Sequence, residues 1–320
     1  MSPGRILRAL SGGVLGAALF AASASAGEEA FITNQNDDTV AIADLESMTV
    51  AAKLKIPGNP VGVAVSRDGA RVYVTSSEGK TLSIIDAAKR TVERVVHLKG
   101  GPFGVAVHPS GQPVYVTDWF THRIWVISPD TGEVTAEVPV GSSPSGIAVT
   151  GDGTTIVTAD RDSNQLSFID AATLKVRGTA KVGSRPFGVT IDERTHRAFT
   201  ANVASNSVSV VDIATGALLA EVKTGERPYD VALASGKAFV TNQYDSTLTV
   251  FDASSYKPLA TIETGEYPEG ILASADGKFI YVANWFDNTL MKIDAASHQI
   301  LGTLETGNGP RAFGAFIRQK

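Results

Sequence analysis

The chain has 320 residues, 28 Lys+Arg against 33 Asp+Glu, and no Cys. A composition that is 43% hydrophobic and 19% charged supplies a core and excludes disorder. The missing Cys excludes disulfides, thiolate metal sites, cysteine nucleophiles, c-type haem attachment and a lipidated N-terminal Cys, and the net charge of -5 argues against general nucleic-acid affinity.

The first predicted element is a leader. Arg5 and Arg8 precede an apolar stretch over residues 9–22, and Ala24-Ser25-Ala26 supplies a small-residue cleavage site. The stretch is short of the ~20 apolar residues that a membrane span needs. It therefore reads as a secretory signal peptide, residues 1–26, cut after Ala26, with an uncleaved anchor as the alternative. No other segment is long and apolar enough to span a membrane. The mature chain is then a soluble periplasmic or secreted protein with 26 basic and 33 acidic residues, a formal charge of −7.

Residues 27–320 form a repeat. Pro60, Pro102, Pro144, Pro186, Pro228, Pro268 and Pro310 are spaced 42, 42, 42, 42, 40 and 42 residues apart. Each opens a unit of four short runs rich in β-branched and aromatic residues, A to D, separated by turn residues. In the first unit run A is Pro60-Val61-Gly62-Val63-Ala64-Val65, run B contains Val72-Tyr73-Val74-Thr75, run C is Thr81-Leu82-Ser83-Ile84-Ile85-Asp86, and run D ends near Leu98. Pro57, Pro139 and Pro258 are assigned to run D. Proline lacks the N–H that a sheet interior uses, so D is the edge strand. Gly62, Gly104, Gly146, Gly188 and Gly270 follow their prolines by two residues, where blades would crowd a central axis.

Four antiparallel strands repeated in this way predict an all-β fold, a β-propeller, in place of the two domains that the length alone suggests. A β-solenoid fits less well, because its coils are shorter and need no four-run unit. The units are 60–101, 102–143, 144–185, 186–227, 228–267 and 268–309. Residues 27–59 supply runs B, C and D without an A, and residues 310–320 supply an A alone. Joined, they make a seventh, composite blade of four-stranded antiparallel form and close the ring. Closure removes an open edge that invites aggregation, so a monomer is expected.

The runs Val72-Tyr73-Val74-Thr75, Val114-Tyr115-Val116-Thr117, Phe239-Val240-Thr241-Asn242 and Ile280-Tyr281-Val282-Ala283-Asn284, with the Pro-x-Gly-Val-Ala-Val run and the Ser-x-Asp-Gly turn, carry a Tyr-Val-Thr-Asn signature. On these residues the whole mature chain resembles the exported bacterial YVTN family of seven-bladed propellers. The resemblance implies fold and export. It implies little chemistry, since that architecture hosts binding proteins, surface-layer proteins, quinoprotein-like enzymes and lactonases.

In such a ring the B–C loops and D–A connections share one face. That face gathers Trp119, Phe120, Tyr244, Trp285 and Phe286 from B–C loops and Phe103, Phe187, Tyr229 and Tyr267 from D–A connections, nine of the 23 aromatics. These are candidate binding anchors, or a plug for the channel mouth. Beside the anchor prolines, Arg185, Arg227, Asp230, Glu269 and Arg311 would form a charged crescent suited to a small anionic ligand or an acidic partner loop, unless they pair with one another. Asn34, Asp118, Asp160, Asn202, Asn242 and Asn284 recur after run B as turn devices.

No catalytic constellation, metal site or cofactor motif is expected. The five His do not cluster, and Gly-x-Ser-x-Gly and phosphate-loop motifs are missing. The leading expectation is a non-catalytic exported propeller that binds a ligand or protein through its aromatic and Arg-bearing face. One alternative is a lactonase-type hydrolase or lyase using Asp230, Glu269 and His122. Another is single-stranded nucleic-acid binding by stacking, which the acidic charge opposes. A quinone cofactor rests on fold analogy alone.

Overall fold

A computed structural model describes residues 27–320, together with Met1 and Gly4; the leader otherwise lies outside the described residues. Seven antiparallel blades surround a central channel. Blade 1 is composite. Its strands Glu28–Asn34, Thr39–Asp44 and Thr49–Lys55 are joined by Ile317–Gln319 from the other end of the chain. Blades 2 to 7 occupy residues 60–97, 102–139, 144–181, 186–223, 228–263 and 268–305, each ordered A to D from the axis outward.

Burial explains why the runs differ. Strand B of blade 2, Arg71–Ser76, is buried along nearly its whole length, because its sheet packs between two neighbours. Strand D of blade 1, Thr49–Lys55, alternates exposed and half-buried positions, as an outer edge should. Pro139 and Pro258 lie at the ends of such outer strands. Pro57 does not: its strand stops at Lys55, so this proline sits in the connection to blade 2, where no ladder hydrogen bond is needed either.

The Thr of the repeated signature ties blades together. Thr33, Thr117 and Thr241 donate to the carbonyls of Val61, Ser145 and Glu269 at 2.8, 3.0 and 2.9 Å, each time the residue after the next blade's proline. A Cβ on Gly62 would come within 2.2 Å of the Phe103 carbonyl oxygen, so glycine is what lets the blades meet there. Asn202 and Asn242 bond the strand C hydroxyls of Ser207 and Thr247, holding each B–C loop to its own sheet.

Ring closure departs from one detail of the sequence expectation. Residues 310–320 do not form a single strand A. Pro310 does bridge Asn34, and Ile317–Gln319 pairs with strand B of blade 1. Between them, Phe313–Ala315 runs parallel to Pro60–Val65 of blade 2 instead. The cause is length. In blade 2 the fifth residue after the proline pairs four positions before the end of strand B, whereas in blade 1 that partner is the seventh residue, Ile317. Two extra residues must loop out, and Gly314, at φ 117°, makes the turn. Glu29, fully buried, seals the joint: Arg318 grips it with a forked pair of hydrogen bonds at 2.9 and 2.7 Å, and Arg90 of blade 2 adds a third at 2.7 Å.

Candidate functional site

The B–C loops and D–A connections do share a face: Trp119, Gln243 and Trp285 donate backbone N–H groups to Gly101, Arg227 and Tyr267. The nine aromatics divide into three groups. Phe103, Trp119, Phe187 and Tyr229 meet across the axis, with ring centroids of Phe187 and Tyr229 4.4 Å apart and Phe103 and Trp119 5.0 Å apart. They form a plug and leave the channel closed at this face. Tyr244, Tyr267, Trp285 and Phe286 form a second cluster on blades 6 and 7, with Tyr267 5.1 Å from Phe286 and 5.8 Å from Tyr244. Phe120 stands apart.

A further member of the plug is absent from the sequence expectation. Phe313, carried inward by the two-residue loop of the closing segment, lies 5.4 Å from Phe187, 5.5 Å from Tyr229 and 5.6 Å from Phe103. A signal for it exists: Gly314 sits four residues after Pro310, where Gly62 sits two after Pro60. What remains open to solvent is narrower than the sequence suggests. Phe120 is 66% exposed, and Tyr244 and Phe286 are each 57% exposed.

The expected charged crescent is not a continuous surface. Glu269 is fully buried, paired with Arg311 at 2.8 Å, and receives a hydrogen bond from Gln243 at 2.9 Å. Burial pushes its carboxyl up to about 7 against the pull of the Arg311 guanidinium. Asp230 lies below the plug, facing the channel, and accepts one hydrogen bond, from the Val231 N–H at 2.8 Å. Burial raises its carboxyl to about 7. Desolvation outweighs the hydrogen bonds in both cases, because both carboxyls are buried.

Arg185 is exposed, whereas Arg227 is half-buried. The Arg227 guanidinium lies over the Tyr244 ring, 4.7 Å from its centroid. Both arginines, and Tyr267, precede their prolines in the left-handed conformation, φ 57°, 54° and 59°. Blade 2 uses Asn59 and the closing segment uses Gly309 at the same position, residues that reach this conformation at less cost. Large side chains are thus held at strained positions on the aromatic face.

His122 has a structural duty. Its Nδ1 accepts the Ser143 N–H at 3.1 Å, as Asn164 and Asn206 side chains accept the N–H groups of Arg185 and Arg227 in later blades. No hydrogen bond or ion pair joins His122 to Asp230 or Glu269, so the three residues of a lactonase-like reading are not assembled into one centre. Among the described residues no group of three or more His, Cys, Asp or Glu could hold a metal ion.

A family model described as YNCE-like beta-propeller matches residues 7–109. The YVTN-like reading of the repeat holds. No curated protein matches the chain. Among solved structures, the chain is similar to Kuenenia stuttgartiensis hydrazine synthase, with 19% identity and a TM-score of 0.73 over 82% of this chain and 91% of that one. It is also similar to a functionally unknown protein from Desulfotomaculum acetoxidans DSM 771, with 17% identity and a TM-score of 0.75 over 91% of this chain and all of that one. At these identities both likenesses speak for the seven-bladed fold and not for an activity. No helix among the described residues is long and apolar enough to cross a membrane.

Proposed function

We propose that the protein is a non-catalytic exported propeller whose B–C loop face holds a protein partner through an acidic loop, or a small anionic ligand. The observation that carries this reading is the exposure of Phe120, Tyr244 and Phe286 on one face, with Arg227 stacked on Tyr244 and Arg185 exposed in another connection of that face. Exposed aromatics are unfavourable in water, and aromatics flanked by Arg are the usual anchors of an interface. The strained backbone under Arg185, Arg227 and Tyr267 supports the same reading, because folding alone favours Gly or Asn there. The leader composition of residues 1–26 supports binding in the periplasm or outside the cell.

The test replaces the exposed anchors and leaves the plug intact. The chain recovered from the periplasmic fraction is expected to begin at Gly27 and to retain a partner or ligand from that extract. The triple variant Phe120→Ala, Tyr244→Ala, Phe286→Ala is expected to lose retention, with Tm shifted by less than ~2 °C because surface changes cost little. Unchanged retention in that variant removes the proposal. Trp119→Ala is a poor probe, since Trp119 packs within the plug and its loss disturbs the fold.

A further inference from the structure

Below the aromatic plug the channel holds a cavity of about 280 Å³. Its wall is the inner strands: Val105 and Val107 of blade 3, Ile147 and Val149 of blade 4, Val189 and Ile191 of blade 5. Phe313 lies at its closed end. At the other end Val65, Val107, Val149 and Leu272 are partly exposed and Ala315 is exposed, so the cavity opens toward the A–B turns. It is a separate site from the aromatic face, on the opposite side of the plug.

The polar content of this cavity is one-sided. Asp230 is 5% exposed and belongs at the closed end, since it shares the register of Gly104 and Gly146, two residues after the proline. Glu193, seven residues after its proline, lines the open end. No Lys, Arg or His lines the wall. A buried carboxyl with a single backbone donor is costly, since such groups are ordinarily paired or hydrogen-bonded several times. Five other blades place glycine there; here one carboxyl oxygen packs over Gly188 of blade 5.

We infer that the channel is a binding site for a small organic cation, an ammonium group on an apolar body, with the ammonium against Asp230 and the apolar part along the Val and Ile wall. An ammonium supplies the donors and charge that Asp230 lacks. The Phe313 ring at the closed end adds a favourable surface for a cation. A metal ion fits poorly, because one carboxylate in an apolar wall cannot replace a hydration shell. The volume, at the lower limit of about 300 Å³ for ligand pockets, sets the size of the body to a few carbons.

The test titrates the purified chain calorimetrically with n-hexylammonium, n-hexanol and n-hexanoate at about pH 8, where carboxylates and alkylammonium are charged. Hexylammonium is expected to bind at least about tenfold more tightly than either of the others. Asp230→Asn is expected to lose that preference while its Tm holds or rises, which shows that the ring is intact. The Phe120→Ala, Tyr244→Ala, Phe286→Ala variant is expected to bind hexylammonium as wild type does, so this site and the aromatic face succeed or fail separately. Three results each overturn the inference: no saturable binding of hexylammonium, hexanol or hexanoate binding as tightly, or an undiminished preference in Asp230→Asn.

Discussion

Asp230 occupies a position that is glycine in five blades and Ala312 in the closing segment. Its carboxyl is raised to about 7 by burial, from an unfolded value of 3.8. An acid whose folded value is raised binds its proton more tightly when folded, so stability is greatest at low pH and falls as pH climbs from about 4 through 7. The loss attributable to Asp230 is at most about 4 kcal/mol, since each pH unit between the unfolded and folded values is worth about 1.36 kcal/mol. Asp230→Gly is therefore expected to stabilise the protein by about 2 kcal/mol or more near pH 8, after allowing for glycine's added chain entropy, and by almost nothing near pH 4. Urea unfolding at the two pH values checks this; equal effects at both contradict it. Among the groups around Asp230, Tyr229, Glu269 and Arg311 lie on the plug side and Glu193 lines the cavity. The difference between wild type and variant isolates Asp230 from them. That Asp230 is unusual is legible in the repeat, because the register places it on a glycine position. That it faces down into the channel is not, since spacing says which position a residue holds and not which side of a plug its side chain takes. His122 likewise looks like a candidate acid or base until the equivalent Asn164 and Asn206 disclose its backbone duty.

At the scale of the element, the segment 310–320 does two things that the other inner strands do not combine. It pairs with blade 1 through Ile317–Gln319, and its extra loop delivers Phe313 to the plug. Removing Ala312 and Phe313 together brings Gly314 two residues after Pro310 and Ile317 five after it, the register of the other blades. That double deletion is expected to leave a folded, closed ring with its plug opened. Tm should fall, since removing a packed Phe costs about 3–5 kcal/mol, and Trp119 fluorescence should become more accessible to acrylamide. A variant that cannot close would show instead that the loop is needed for the joint itself. The strand architecture is legible because proline, glycine and the Tyr-Val-Thr-Asn run repeat with little variation, and each reflects a backbone requirement. The plug is half legible. Connectivity places the aromatic residues on the correct face, but their division into plug and exposed anchors depends on side-chain packing across the axis between residues far apart in the chain.

At the scale of the whole molecule, ring closure rests on one joint, which includes the three residue pairs of Ile317–Gln319, the Pro310–Asn34 bridge, the buried Glu29–Arg318 pair and the bond from Arg311 N–H to the Thr33 carbonyl. Opening it exposes two sheet edges and the facing sides of blades 1 and 7, surfaces that pair with other copies. Deleting residues 310–320 is expected to give an oligomer or an unfolded chain, seen by sedimentation and thermal melting. A monomer with unchanged Tm contradicts this account of closure. The joint also brings Gly27 and Lys320 side by side, with the Lys320 N–H donating to the Gly27 carbonyl at 2.9 Å. Both residues lie where strand B begins and strand A ends, on the A–B turn side of the disc. A tether attached at either residue therefore leaves from the side where the channel opens. A molecule anchored by Lys320 to a bead or a surface would turn Phe120, Tyr244 and Phe286 outward, and set the mouth beside Glu193 against its support.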